Sequence, residues 1–131
     1  MENSLKIALL CCNYTNLAER EDLAQLLGGV EIKRYPCSGH IEVTDILRAF
    51  REGAFGVMVA GCEKGSCHNV KGSKRAERRV LGAKKIIEEL GLEPERVEFF
   101  YIGRLDSGDF VEKAKNFYGR LLKIRLKEKA Q

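Results

Sequence analysis

The run Gly56-Val57-Met58-Val59-Ala60 carries no polar side chain. A strand of this composition is covered on both faces, which predicts a central place in a parallel sheet with helices above and below it. Three other segments read as strands: Lys6 to Cys11, Val30 to Tyr35 and Val97 to Ile102. The second alternates apolar and polar residues, as suits an edge.

Amphipathic helices are expected between and after these strands. The first spans roughly Leu17 to Leu27 and stops at Gly28-Gly29. Thr44 is expected to cap the next, which bears Ile46, Leu47 and Phe50 on one face and ends at Gly53. A long helix follows, in which Ala76, Val80, Ala83, Ile87 and Leu90 recur at three- and four-residue steps before Gly91 and Pro94. The last helix, about 107–127, is capped by Asp106 or Ser107 and carries Phe110, Ala114, Phe117, Leu121 and Ile124 as its stripe, with a basic tail beyond. Four strand-helix units predict a single α/β domain over residues 1–131: a (βα)4 three-layer sandwich with a parallel, flavodoxin/Rossmann-like sheet.

In such a sheet every strand points its C-terminal end to one edge, and ligands bind there. The cysteines follow this rule. Cys11 and Cys12 end the first strand, Cys37 follows the second, and Cys62 and Cys67 lie after the third. Glycine and other turn formers surround them in Pro36-Cys37-Ser38-Gly39 and in Gly61-Cys62 through Gly65-Ser66-Cys67, so the backbone can wrap closely and donate N–H groups to sulfur.

Compartment supports the same chemistry. The apolar run Ile7 to Leu10 is shorter than a secretory core, and no window reaches the roughly 18 apolar residues of a membrane span, so a cytoplasmic protein without a membrane span is expected. In a reducing compartment five cysteines are better read as ligands or redox groups than as disulfides. A net charge of +4 and a pI near 8.8 give little support for a nucleic-acid partner.

Four thiolates hold either zinc or an iron-sulfur cluster. Cys62 and Cys67 are spaced C-x4-C, which matches part of a plant-type ferredoxin pattern better than a zinc knuckle. Cys11 and Cys12 point to opposite faces of their strand, and Cys11 is the better candidate for a core residue. His68 beside Cys67 raises a third possibility, a cysteine-dependent enzyme, although no orienting third residue is evident. His40 reads as an ordinary loop histidine. Lys74, Arg75, Arg78 and Arg79 open the long helix, where positive charge opposes the helix dipole and suits an anion or an acidic partner.

The ordered motifs Cys12-Asn13-Tyr14, Pro36-Cys37-Ser38-Gly39, Ile46-Leu47-Arg48-Ala49-Phe50 and Gly61-Cys62 through Cys67-His68 together resemble the delta subunit of methyl-viologen-reducing hydrogenase. The resemblance continues through Ala76-Glu77-Arg78-Arg79 and Gly91-Leu92-Glu93-Pro94-Glu95-Arg96, and so spans nearly the whole chain. It implies an electron-transfer subunit with a 2Fe-2S cluster, not catalytic alone. The implied partners are hydrogenase or formate dehydrogenase subunits and the flavin-containing A subunit of heterodisulfide reductase. Carried over by position, the family's cysteines fall on Cys12, Cys37, Cys62 and Cys67. Where the family has the first cysteine of a C-x2-C pair this chain has Leu9, with Cys11 between the two positions as an alternative ligand.

Overall fold

The computed structural model describes residues 5–12, 30–35, 40–62, 72–102 and 107–130. Its four strands are β1 (Ile7–Cys12), β2 (Val30–Tyr35), β3 (Gly56–Cys62) and β4 (Val97–Ile102). Its described helices are α1 (Val43–Arg51), α2 (Gly72–Glu89) and α3 (Ser107–Ala130), with a short 3-10 turn at Pro94–Arg96 leading into β4. The helix expected between β1 and β2 lies outside the described residues.

All three strand pairings are parallel, in the order β2-β1-β3-β4. The sheet is thus the α/β arrangement expected from the alternating pattern, with the apolar β3 inside and the alternating β2 at an edge. Glu31 and Arg34 are exposed on β2, and Lys33 donates to Glu52 at 2.8 Å. Charges along an edge strand discourage pairing with another chain.

Strand alternation builds two cores. Leu5, Ile7, Leu9 and Cys11 of the first strand region join Met58 and Ala60 beneath Ala114, Phe117, Leu121 and Ile124 of α3. Ala8, Leu10, Val57 and Val59 face the other way, beneath residues of α1 and α2 that include Ile46, Ala49, Val80 and Ile87. A sheet buried on both faces requires this double apolar set, and the outcome is three layers.

Three local expectations are corrected. The first strand begins at Ile7 and ends at Cys12, because its pairing with β2 runs from Ile7 opposite Val30 to Cys12 opposite Tyr35. Thr44 is not the cap of α1: Glu42 is, and its backbone N–H donates to the Asp45 carboxylate at 2.8 Å. That exchange satisfies one of the donors a helix start exposes. Leu90 lies beyond the end of α2 and is 72% exposed. Gly91 takes φ 91° there, and Leu92, whose N–H reaches Ile87 O at 2.9 Å, packs against the core instead.

Candidate metal centre

Cys12 and Cys62 are the last residues of β1 and β3, which are neighbours in the sheet. The β1–β3 ladder ends with Cys11 opposite Ala60, so Cys62 stands one residue further along its strand than the position level with Cys12. Strand spacing and rise put their Cα atoms about 6 Å apart. From β1 the chain moves to β2 on one side and the sheet continues through β3 on the other. This reversal opens a crevice at the C-terminal strand ends, and open α/β sheets bind ligands in that crevice. Both backbones therefore close on the position that the fold itself reserves for a ligand.

The other two predicted ligands, Cys37 and Cys67, lie outside the described residues, as does His68. Cys37 follows Tyr35 by two positions in the sequence, and Tyr35 is the register partner of Cys12. Cys11 is placed differently. It is 0% exposed and belongs to the apolar cluster beneath α3, among Leu9, Met58 and Ala60.

Tyr35 is a neighbour of this edge that the sequence reading did not single out. Its half-buried phenol is pushed above the usual tyrosine range, first by burial and then by the negative charge of Asp45, while Lys33 and Arg48 act in the opposite direction. Alternation along β2 sets Tyr35 on the face of Glu31 and Lys33, opposite Val30 and Ile32, where it packs against the cluster beneath α1 and α2. Its pairing with Cys12 depended on the register.

The basic residues of α2 divide into two groups. Arg79 donates to Ile41 O at 3.0 Å and lies 3.5 Å from Glu42, so it ties α2 to the start of α1. Lys84 likewise donates to Pro94 O at 3.1 Å and sits 3.6 Å from Glu98, holding the far end of α2 to the approach of β4. Lys74, Arg75 and Arg78 are exposed.

Soft thiolates at a glycine-rich edge suit zinc or an iron-sulfur group, and the backbones of Cys12 and Cys62 end at that edge. Among the described residues no helix is long and apolar enough to cross a membrane.

Residues 7–125 match the family described as methyl-viologen-reducing hydrogenase, delta subunit. The iron-sulfur D subunit of the vhu F420-non-reducing hydrogenase of Methanopyrus kandleri is 43% identical over 124 residues, covering 91% of this chain and 92% of that protein. The iron-sulfur D subunit of the F420-non-reducing hydrogenase of Archaeoglobus profundus is 39% identical over 90% of this chain and 89% of its own length. A different kind of relative is the A subunit of the ferredoxin:CoB-CoM heterodisulfide reductase of Methanosarcina mazei, 32% identical over 90% of this chain but only 15% of its own length. Coverage of this extent decides the family: the chain belongs to the delta subunits of methyl-viologen-reducing hydrogenase.

Proposed function

We propose that residues 1–131 act as one iron-sulfur domain, an electron-transfer subunit of a hydrogenase and heterodisulfide reductase assembly. The observation that carries this reading is the pair of strand ends. Cys12 and Cys62, two of the cysteines that the family resemblance carries over as ligands, close adjacent strands at the C-terminal edge of the sheet. Cys37 lies two residues beyond β2, a tether of about 7 Å, which gives it the reach to join them.

Cys12, Cys37, Cys62 and Cys67 would hold a 2Fe-2S cluster, and Cys11 fills core. A bound cluster of this kind supplies one-electron storage at a potential set by hydrogen bonds to sulfur and by burial. The chain's own contribution is to converge the thiolates and to shield them beneath a partner. On its own the chain turns over no substrate.

For the partners, the relatives named as iron-sulfur D subunits support a hydrogenase, with a formate dehydrogenase in the same role as an alternative donor. The match to a segment of a much longer reductase chain supports the flavoprotein of heterodisulfide reductase on the other side, since one polypeptide there holds a region similar to this chain. Electrons would pass through this protein between the two.

The visible absorption spectrum of anaerobically purified protein, taken before and after dithionite, tests the reading. A band that bleaches, with iron and sulfide in stoichiometric amounts, is expected. A colourless protein holding zinc would replace the cluster by a zinc-stabilised interaction module, and a metal-free protein with a reactive thiolate would favour cysteine-dependent redox chemistry.

A further inference from the structure

We propose that the exposed start of α2 is a docking surface for an acidic patch on a protein partner; the assignment rests on the electron-transfer reading above and adds where the partner sits. The first two turns of α2 carry Lys74, Arg75, Arg78 and Arg79, with no acidic residue in the first turn. Glu77 is the one carboxylate between Gly72 and Arg79. The amide dipoles of a helix already make its start positive, so these cations oppose the helix that bears them. An internal structural role accounts for Arg79, through Ile41 and Glu42, but not for its neighbours. Arg75 and Arg78 make no ion pair with any other described residue.

Their arrangement is that of a contact surface. Arg75, Arg78 and Arg79 line one open recess of about 330 Å³ on the outside of the helix. Guanidinium groups presented in this way match carboxylates, which they bind through paired hydrogen bonds. A nucleic acid is the poorer fit, because the basic stretch is two turns long, contains Glu77, and belongs to a chain of net charge +4.

Position gives the patch its use. α2 ends at the turn that starts β4, where Lys84 meets Pro94, so the opposite end of this 18-residue helix lies towards the C-terminal edge of the sheet. Cys12 and Cys62 end at that edge. A partner held at Arg75 and Arg78 is therefore on the side of the molecule where electrons would enter or leave. Charge complementarity there raises the encounter rate and fixes orientation, both of which an electron-transfer contact of modest area requires.

The test measures binding of the full-length chain to the purified flavoprotein of heterodisulfide reductase from the same organism at about 50 and about 300 mM salt. Arg75→Glu with Arg78→Glu should weaken the complex by about tenfold or more at low salt and flatten its salt dependence. Lys123→Glu with Lys127→Glu makes the same change of charge on α3, across the sheet, and should leave binding within about twofold. Equal losses in both variants, no loss in either, the absence of a wild-type complex, or tighter binding to a DNA duplex than to the flavoprotein would each overturn the proposal. The visible spectrum reports separately on the cluster: a colourless wild type that still binds through Arg75 and Arg78 would remove the metal reading and leave the docking surface standing.

Discussion

Cys12 and Tyr35 are register partners on the last rung of the β1–β2 ladder. The pairing sets a half-buried phenol beside the edge at which β1 ends, and burial together with Asp45 makes ionisation of that phenol unfavourable. A group whose folded pKa is raised stabilises the fold fully below its unfolded pKa and loses that contribution as pH rises through the folded value.

For Tyr35 the sensitive window opens near pH ~10, the ordinary tyrosine pKa, and extends upward. Tyr35→Phe should remain folded at neutral pH and show a flatter decline of stability above that point than the wild type. Lys33, whose pKa is raised chiefly by its hydrogen bond from the ammonium to Glu52 and also by the charge of Tyr35, titrates in the same alkaline region. The comparison is therefore repeated in a Lys33→Met background, where the difference isolates the phenol. Urea midpoints measured at closely spaced alkaline pH values check this. Parallel profiles would show that Tyr35 exchanges its proton as readily in the fold as in the open chain.

At the opposite end of β3, Gly56 lies beneath α3. A Cβ added there would stand 2.5 Å from Leu121 Cδ1 and 3.2 Å from Phe117 Cε2, and both of those side chains are buried. Gly56→Ala should cost about 1–3 kcal/mol, the usual scale of overpacking in a filled core. Combining it with Leu121→Ala tests the cause, since the smaller residue makes room for the new methyl. The double variant should be more stable than the sum of the single losses predicts, read from urea denaturation as a coupling term.

The strands and described helices were legible because each carries a periodic apolar face, and β3 and β2 even disclosed their central and edge places. Details governed by polar contacts were not. Thr44 has the side chain of a cap, yet the exchange with Asp45 gives the position to Glu42. Leu90 continues the spacing of Ile87, but the chain has left the helix before its side chain can turn inward. Of the candidate ligands, the backbone placement of Cys12 could be foreseen from the strand end and parallel topology alone, whereas Cys62, expected in the loop after the third strand, is the last residue of β3. The neighbourhood of Tyr35 depended on a register that no local pattern announces. The basic stretch also looked uniform in sequence, and only tertiary contacts separate Arg79 and Lys84 from Arg75 and Arg78.

Arg96 gives a third prediction. This 6% exposed arginine sits with its guanidinium carbon 4.0 Å from the centre of the Phe55 ring, donates to Glu93 at 2.9 Å and meets Glu128 near the end of α3. Removing the cation leaves two partly exposed carboxylates that water can serve, whereas removing both carboxylates leaves a buried cation. Arg96→Met should therefore cost about 1–2 kcal/mol through lost packing and cation–π contact. Glu93→Ala with Glu128→Ala should cost more, about 3 kcal/mol, because the guanidinium keeps only the ring as compensation. Thermal unfolding of the three proteins gives the order, and the reverse order would show that packing outweighs charge at this site.

The adjacent cysteines of β1 supply the most direct test of the ligand set. Cys11 is enclosed by apolar side chains beneath α3, so Cys11→Ala removes a small buried group and should lower stability by about 1 kcal/mol through the space it leaves. Iron content and the visible band should be those of the wild type. Cys12→Ala, one residue on at the end of the strand, should behave in the opposite way and lose the band when purified anaerobically. Cys37→Ala and Cys62→Ala should share the second outcome. Loss of iron from the Cys11 variant with retention in the Cys12 variant would move the first ligand back by one residue, onto the side of the sheet that faces α3.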